Sequence, residues 1–248
     1  MKTTTIFRRT ALALLPAALL LGACSKTDVP TPTPAVDQGR VTFVNAAAHI
    51  APTTLKFLID AKDNASLVYG ASSGYLSVTA GARSVQITAG TQTALTQQVT
   101  VEKDKSYTFV ATSTASSSTV GGLLITDDLT APATGKARIR VINLGQGTPT
   151  PLRLSQVTST LGGPVIVDVV PSVPSNSASA FVEVPIGVAN LSILDANGTV
   201  VAEVGSGSGD GSGTKKYEEG RLYTVLLTGT QGSLSADQKV KAFILTNN

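Results

Sequence analysis

The sequence predicts an all-β protein made of two tandem immunoglobulin-like β-sandwich domains. Three observations lead there. From Gly39 onward, apolar residues alternate with polar ones in short runs such as YLSVTA, RSVQITAG and SYTFVATS. Gly, Asn, Asp and Pro separate the runs, and no long window carries a helical period. Four blocks then recur in the same order in both halves of the chain, the mark of an internal duplication. Finally, each copy offers about six or seven strands in about 100 residues, the count of a small sandwich.

The first pair of blocks is RVTFVN (40–45) and RIRVIN (138–143), each an opening strand that ends in asparagine. GYLSVTAGARSVQI (74–87) pairs with AFVEVPIGVANLSI (180–193), placing Gly81 and Gly187 between two strands. EKDKSYTFVATS (102–113) pairs with EEGRLYTVLLTG (218–229) and aligns Tyr107 with Tyr223. A tyrosine opening a late strand after a tight turn is the pattern of a tyrosine corner, whose hydroxyl bonds back to upstream backbone. GLLITDD (122–128) pairs with AFILTNN (242–248). PVIVDVVP, bracketed by Pro164 and Pro171, is a further strand. The copies meet in DLTAPATG (128–135), which divides the chain into 39–133 and 134–248. A period this long, occurring twice, excludes a propeller or solenoid.

The N-terminus has the layout of an export signal. Lys2, Arg8 and Arg9 precede the apolar run Ala11–Leu21, which is interrupted by Pro16. Eleven residues fall short of the roughly 20 a membrane-spanning helix needs. Small residues follow and end in Cys24, the single cysteine of 248 residues. Leu21, Gly22, Ala23 and Cys24 together resemble the bacterial lipobox. That resemblance implies a cleaved signal (1–23) and a diacylglycerol on the Cys24 thiol. The membrane is then a partner through this anchor. Two or more chains, at about 0.8 kcal/mol per buried CH₂, hold where one is marginal. Ser25 stands where an aspartate would retain a lipoprotein in the inner membrane. The resemblance therefore implies the outer membrane of a Gram-negative bacterium, on its periplasmic or exposed side. Residues 24–38 form a Pro/Thr linker that favours extended backbone and would hold the domains off the bilayer.

Charge and cysteine content narrow the function. The formal charge of +3 rests on 19 basic residues; without Lys2, Arg8 and Arg9 there are 16, against 16 acidic. A neutral mature chain with no basic cluster predicts no nucleic-acid partner. With Cys24 acylated, no thiol is left for a disulfide or metal site, and no cofactor is expected. The chain is expected to be monomeric.

RVTFVN, LVYGASSGYLSVTAG, VEKDKSYTFVA, LLITDDLTAP and KARIRVIN resemble the bacterial domain-of-unknown-function 4397 family. The resemblance covers most of residues 39–230 and is clearer in the first half. The second half has a longer central section and the insertion GSGSGDGSG. The family implies a secreted or lipid-anchored envelope protein and brings no catalytic residues.

Four motifs remain. Gly70-Ala71-Ser72-Ser73-Gly74 satisfies the G-x-S-x-G nucleophile elbow, but a strand-like segment follows it instead of a helix. His49, the sole histidine, precedes Ser72, the reverse of the hydrolase order, and reads as a loop residue. Asp127 and Asp128, with Asp60 and Asp63, offer calcium-type oxygens without a calcium motif. Gly205, Ser206, Gly207, Ser208, Gly209, Asp210 and Gly211 begin a loop placed where a hairpin would join VVAEV to KKYEEGRLYTV, the candidate ligand loop. The expectation is a non-enzymatic envelope lipoprotein that binds a protein or glycan through sandwich-end loops. A spacer without a ligand is the alternative, and a serine hydrolase ranks last. With no Trp, 6 Phe and 5 Tyr, aromatic platforms for a sugar are scarce.

Overall fold

The computed structural model describes residues 36–114, 117–205 and 214–247. Val36–Asn248 form one compact unit, and the architecture is all-β, of sandwich type. In the first half the strands are β1 (Gln38–Ala46), β2 (Leu55–Ile59), β3 (Lys62–Leu67), β4 (Ser72–Thr79), β5 (Gly81–Ala89), β6 (Gln92–Val101), β7 (Ser106–Thr114) and β8 (Ser117–Asp127). They make two sheets, ordered β4-β1-β7-β8 and β3-β2-β5-β6.

The second half contains β9 (Lys136–Asn143), β10 (Leu152–Thr160), β11 (Gly163–Val173), β12 (Ser177–Ala178), β13 (Val182–Pro185), β14 (Gly187–Leu194), β15 (Val200–Val204), β16 (Thr214–Tyr217), β17 (Leu222–Thr228) and β18 (Lys241–Thr246). Here β12 and β13 both pair with β9 at one edge of β9-β17-β18, and the second sheet runs β11-β10-β14 with β15 and β16 on its far edge. Strand for strand, this is the order of the first half. The immunoglobulin constant arrangement sets strands A, B, E and D against C, F and G. Here the first strand is central and parallel to the seventh, β1 beside β7 and β9 beside β17.

Alternation assigns these central strands two jobs. Val41 and Phe43 of β1, with Tyr107, Phe109 and Ala111 of β7, face the core shared with β2, β5 and β6. Val44, Ala46 and Val110 point the other way. They meet Ile142, Leu144, Leu226, Phe243 and Leu245 from the second half. Behind those, Ile139 and Val141 of β9, with Tyr223, Val225 and Leu227 of β17, face a third core closed by β10, β14 and β15. The sheets are therefore stacked four deep, with three apolar seams. All seven residues of β17 are buried, as befits a strand covered on both faces. Each buried Val, Leu, Ile or Phe stabilises such a seam by about 1.5–3 kcal/mol relative to exposure.

Repeated local devices shape each half. Asn45 and Asn143 end the opening strands: each side-chain oxygen accepts the backbone N–H two residues on, at 3.1 and 3.2 Å. Each amide group then donates to the end of a strand, to the Leu67 carbonyl (3.0 Å) and the Val173 carbonyl (3.1 Å). The tyrosine corners form as expected. Tyr107 Oη accepts from the Glu102 N–H at 3.2 Å, and Tyr223 Oη from the Glu218 N–H at 3.1 Å. Gly81 and Gly187 sit at φ +115° and +113° where the chain crosses between sheets, a conformation costly for any residue with a Cβ.

Candidate functional site

Both halves point the same way. β1, β7, β9 and β17 all start at one end, the base, where Val36 lies and where the β8–β9 connection crosses. They finish at the other end, the head, in the loops 47–54, 144–151 and 229–240. Three contacts, made by head loops and the strand ends beside them, tie this end together across the halves. The Thr228 hydroxyl donates to the Ala46 carbonyl at 2.7 Å. His49, held in a short 3-10 turn, shares a 2.8 Å hydrogen bond between its Nε2 and Thr230 Oγ1. Gln146 donates through its side chain to the Ser113 carbonyl. His49 lies in a loop, as its sequence context predicts, and is also a cross-half tie.

Beside this stitched edge lies a cleft of about 290 Å³ lined by Pro52, Val68, Tyr69, Asp237, Lys241 and Phe243. Its floor is aromatic: the Tyr69 and Phe243 rings pack edge to face, 5.2 Å apart at 82°. The rim carries Asp237 and Lys241, one charge of each sign. An apolar floor with a few polar groups on the rim is the general make-up of a small recognition site. Gly70 makes this floor possible. At φ +80° it lies against Phe243, and a Cβ there would come within 2.7 Å of three ring carbons, far inside contact distance.

That contact accounts for the G-x-S-x-G match. Gly70 sits in the turn before β4 and Gly74 (φ +71°) inside β4, where its pairing with β1 shifts register, with no helix behind the serines. Ser73 Oγ accepts from the Phe43 N–H at 2.9 Å and donates to the Gly74 carbonyl. His49 is committed to Thr230, so Ser72 and His49 form no described nucleophile–base pair.

A second cluster lies in the seam between the two inner sheets. Arg140 Nη1 donates to Asp127 Oδ1 at 2.6 Å, and both side chains are at most 2% exposed. Arg140 Nη2 donates to Thr108 Oγ1 and Nε to Thr224 Oγ1, both at 2.9 Å. The Thr108 hydroxyl donates to Asp127 Oδ2, and that of Thr224 to Asn247 Oδ1, each at 2.6 Å. Tyr75 closes the circuit: its hydroxyl donates to Asp127 Oδ2 at 2.6 Å and accepts from Asn247 Nδ2 at 3.2 Å. Every hydroxyl both gives and receives. Burial first, and the Asp127 charge second, push the Tyr75 phenol well above its ordinary range. Phe181 stacks on the Arg140 guanidinium at 4.6 Å. Nearby, the hydrogen bond from Arg138, at 2.7 Å, holds the Asp128 carboxyl below the usual range. Both aspartates of the 127–128 pair thus face arginines, and among the described residues no group of three or more His, Cys, Asp or Glu side chains is placed to hold a metal ion.

Of the residues predicted from sequence, Leu21, Gly22, Ala23 and Cys24 lie outside the described residues, as do Ser206, Gly207, Ser208, Gly209, Asp210 and Gly211. Gly205 is buried at the end of β15. The hairpin expected around this loop is corrected. β15 and β16 do not pair with each other. Val204 pairs with Leu191 and Thr214 with Asn190, consecutive residues of β14. The Gly/Ser segment thus interrupts a single edge strand, the counterpart of the unbroken β6. Sequence reading missed the Arg140 cluster. Its one signal was an arginine inside the otherwise apolar alternation of RIRVIN.

No curated protein matches the chain. Among solved structures, it is similar to a leucine-rich repeat protein from Bacteroides thetaiotaomicron VPI-5482 at 12% identity and TM-score 0.21, covering 79% of this chain and 26% of that one. It is also similar to the Bacillus anthracis TIE protein at 10% identity and TM-score 0.23, covering 85% of this chain and 44% of that one. The chain thus spans less than half the length of either. A domain of the DUF4397 family, a domain of unknown function, occupies residues 39–150.

Proposed function

We propose that the chain is a membrane-anchored lipoprotein of the bacterial outer membrane, without catalytic activity, that binds an envelope protein or glycan through its head loops. In this reading Cys24 carries the lipid, and residues 134–248 are a second copy of the DUF4397 domain. The observation that carries the proposal is the polarity of the fold. Loops from both halves are bonded into one face, with an aromatic-floored cleft beside it, at the end opposite Val36, where the anchored segment joins. The matched strand order of the two halves, and the paired roles of Asn45 and Asn143, support the second copy.

The test is a screen of the full chain against envelope-protein and glycan arrays, repeated with Val68→Asp. Val68 is 58% exposed in the cleft, so the substitution spares the core. A ligand bound by the wild type and lost on Val68→Asp supports the reading. A ligand indifferent to it moves recognition elsewhere, and no reproducible ligand favours the spacer. For the anchor, Cys24→Ala is expected to abolish lipid labelling and membrane fractionation; equal labelling of the variant would sink that part.

A further inference from the structure

We propose that the β10–β11 ribbon is a second membrane contact, which dips its apolar tip into the lipid surface beside the anchor. β10 pairs with β14 only as far as Gln156↔Leu191. Its last four residues, Val157–Thr160, pair with Gly163–Ile166 of β11 alone. The end of the ribbon therefore leaves its sheet at the base of the molecule, across a cleft that residues 157–159 line together with residues 188–190. A two-stranded ribbon on its own is marginal in water, and the turn and β11 arm of this one are apolar as well. Leu161 is fully exposed at the turn, Val167 is 58% exposed, and Val165 and Ile166 are exposed between them. Ile186 and Val188, 69% exposed, lie at the same base end of β14. From Leu154 to Val167 there is no charged residue.

The first half shows what a water-facing version looks like. The corresponding β2–β3 hairpin is short and turns through Asp60 and Ala61 at φ +49° and +63°, with Lys62 and Asp63 next. Edges exposed to water are normally guarded by such charges, and contiguous exposed apolar surface marks a contact site. At the same topological position, the second half has lengthened the hairpin and removed its charges.

A lipid surface is the occupant that the geometry favours. The tip emerges at the base, the end at which Val36 receives the preceding 35 residues, Cys24 among them. Lys215 and Lys216 pair with Ala189 and Val188 beside the apolar strip, where cations suit a headgroup layer. The short segment from Cys24 to Val36 allows the base to rest on the bilayer as readily as to stand away from it. This proposal rests on the lipoprotein reading for the placement of the base, and it replaces the spacer geometry expected of the linker.

The chain contains no tryptophan, so L161W introduces a single reporter. The full chain is reconstituted into phosphatidylethanolamine/phosphatidylglycerol vesicles with brominated acyl chains, and labelled palmitate reports acylation of Cys24 separately. The L161W indole is expected to emit blue-shifted, to be quenched by the bromines, and to be shielded several-fold from aqueous iodide. L234W, in the head loop 229–240 where Leu234 is 97% exposed, is expected to remain open to iodide. Val165→Asp combined with Val167→Asp should return the L161W indole to water. A palmitate-labelled chain whose L161W indole is as open to iodide as that of L234W overturns the ribbon and leaves the anchor standing. An unlabelled chain whose L161W indole is still quenched by bromine does the reverse. A blue shift without vesicles that grows with protein concentration assigns the strip to a second copy and also overturns the proposal.

Discussion

Arg140 and Asp127 belong to different halves of the chain, yet their side chains form a 2.6 Å ion pair that water does not reach. Their counterparts by register are neutral. Thr42 of β1 sits beside Thr108 as Arg140 of β9 sits beside Thr224, and Asn247 follows β18 as Asp127 ends β8. The two halves thus differ by one charge on each side of the seam, in complementary places.

A buried pair of this kind costs most when half of it is removed, because the other charge stays behind. Arg140→Met and Asp127→Asn alone should each destabilise by about 3–5 kcal/mol. The double variant should cost no more than either single one, since the amide oxygen introduced by Asp127→Asn would still accept from Thr108 and Tyr75. Urea unfolding of the three variants measures this, and simply additive losses would show that the charges do not depend on each other.

The phenols of Tyr75 and Tyr217 are held above the ordinary value of 10.0, chiefly by burial. A raised folded value means that the stability tied to the neutral phenol is fully present below about pH 10. It is then lost as pH climbs further, because the unfolded chain ionises first. Phenolate absorbance near 295 nm should therefore show a late step that coincides with alkaline unfolding. Tyr75→Phe and Tyr217→Phe should each reduce that step; a step of unchanged size in both variants would contradict the assignment.

Gly70 and Gly74 have similar positive φ but different surroundings. A Cβ at Gly74 meets nothing within 4 Å, whereas one at Gly70 meets the Phe243 ring. Gly74→Ala should cost about 1 kcal/mol of backbone strain. Gly70→Ala adds overpacking, about 1–3 kcal/mol more. Equal losses in thermal melts would mean that the head seam is softer than this packing implies.

Deleting residues 206–213 joins Gly205 to Thr214, whose strand segments already address adjacent positions on β14. The expected result is an unchanged or slightly raised stability, by less than about 1 kcal/mol, because shortening a loop reduces closure entropy. If a ligand found in the array screen is lost with the fold intact, the segment contributes to binding. A cooperative collapse on deletion would show that it supports the sheet.

Much of the fold could be read residue by residue. Asparagines at the ends of β1 and β9, glycines between sheets and a tyrosine after the last tight turn are local devices, and their chemistry is visible in the sequence. The stacking of the halves was not, because its signals are ambiguous. Thr108, Thr224 and Thr228 read as solvent-facing positions in an alternating strand. They are buried because the other half covers this face: Thr228 donates across it to Ala46, Thr108 accepts across it from Arg140, and Thr224 bonds to Asn247 and Arg140 of its own half. Arg140 likewise reads as a break in an apolar pattern until Asp127 is placed opposite it. The broken edge strand was missed for a related reason: a glycine-rich stretch between two strands looks the same whether they pair with each other or with a third.

The seam through Val44, Ala46 and Val110 also has a consequence for how the protein is made. Synthesis releases β1 to β8 before β17 and β18 exist, so a first half that has already folded presents a sheet face with nothing to cover it. Such an interval favours aggregation. The chain therefore has a reason to be kept unfolded, or chaperoned, until β18 has emerged, and truncation ahead of β18 should yield an insoluble product rather than a smaller working domain.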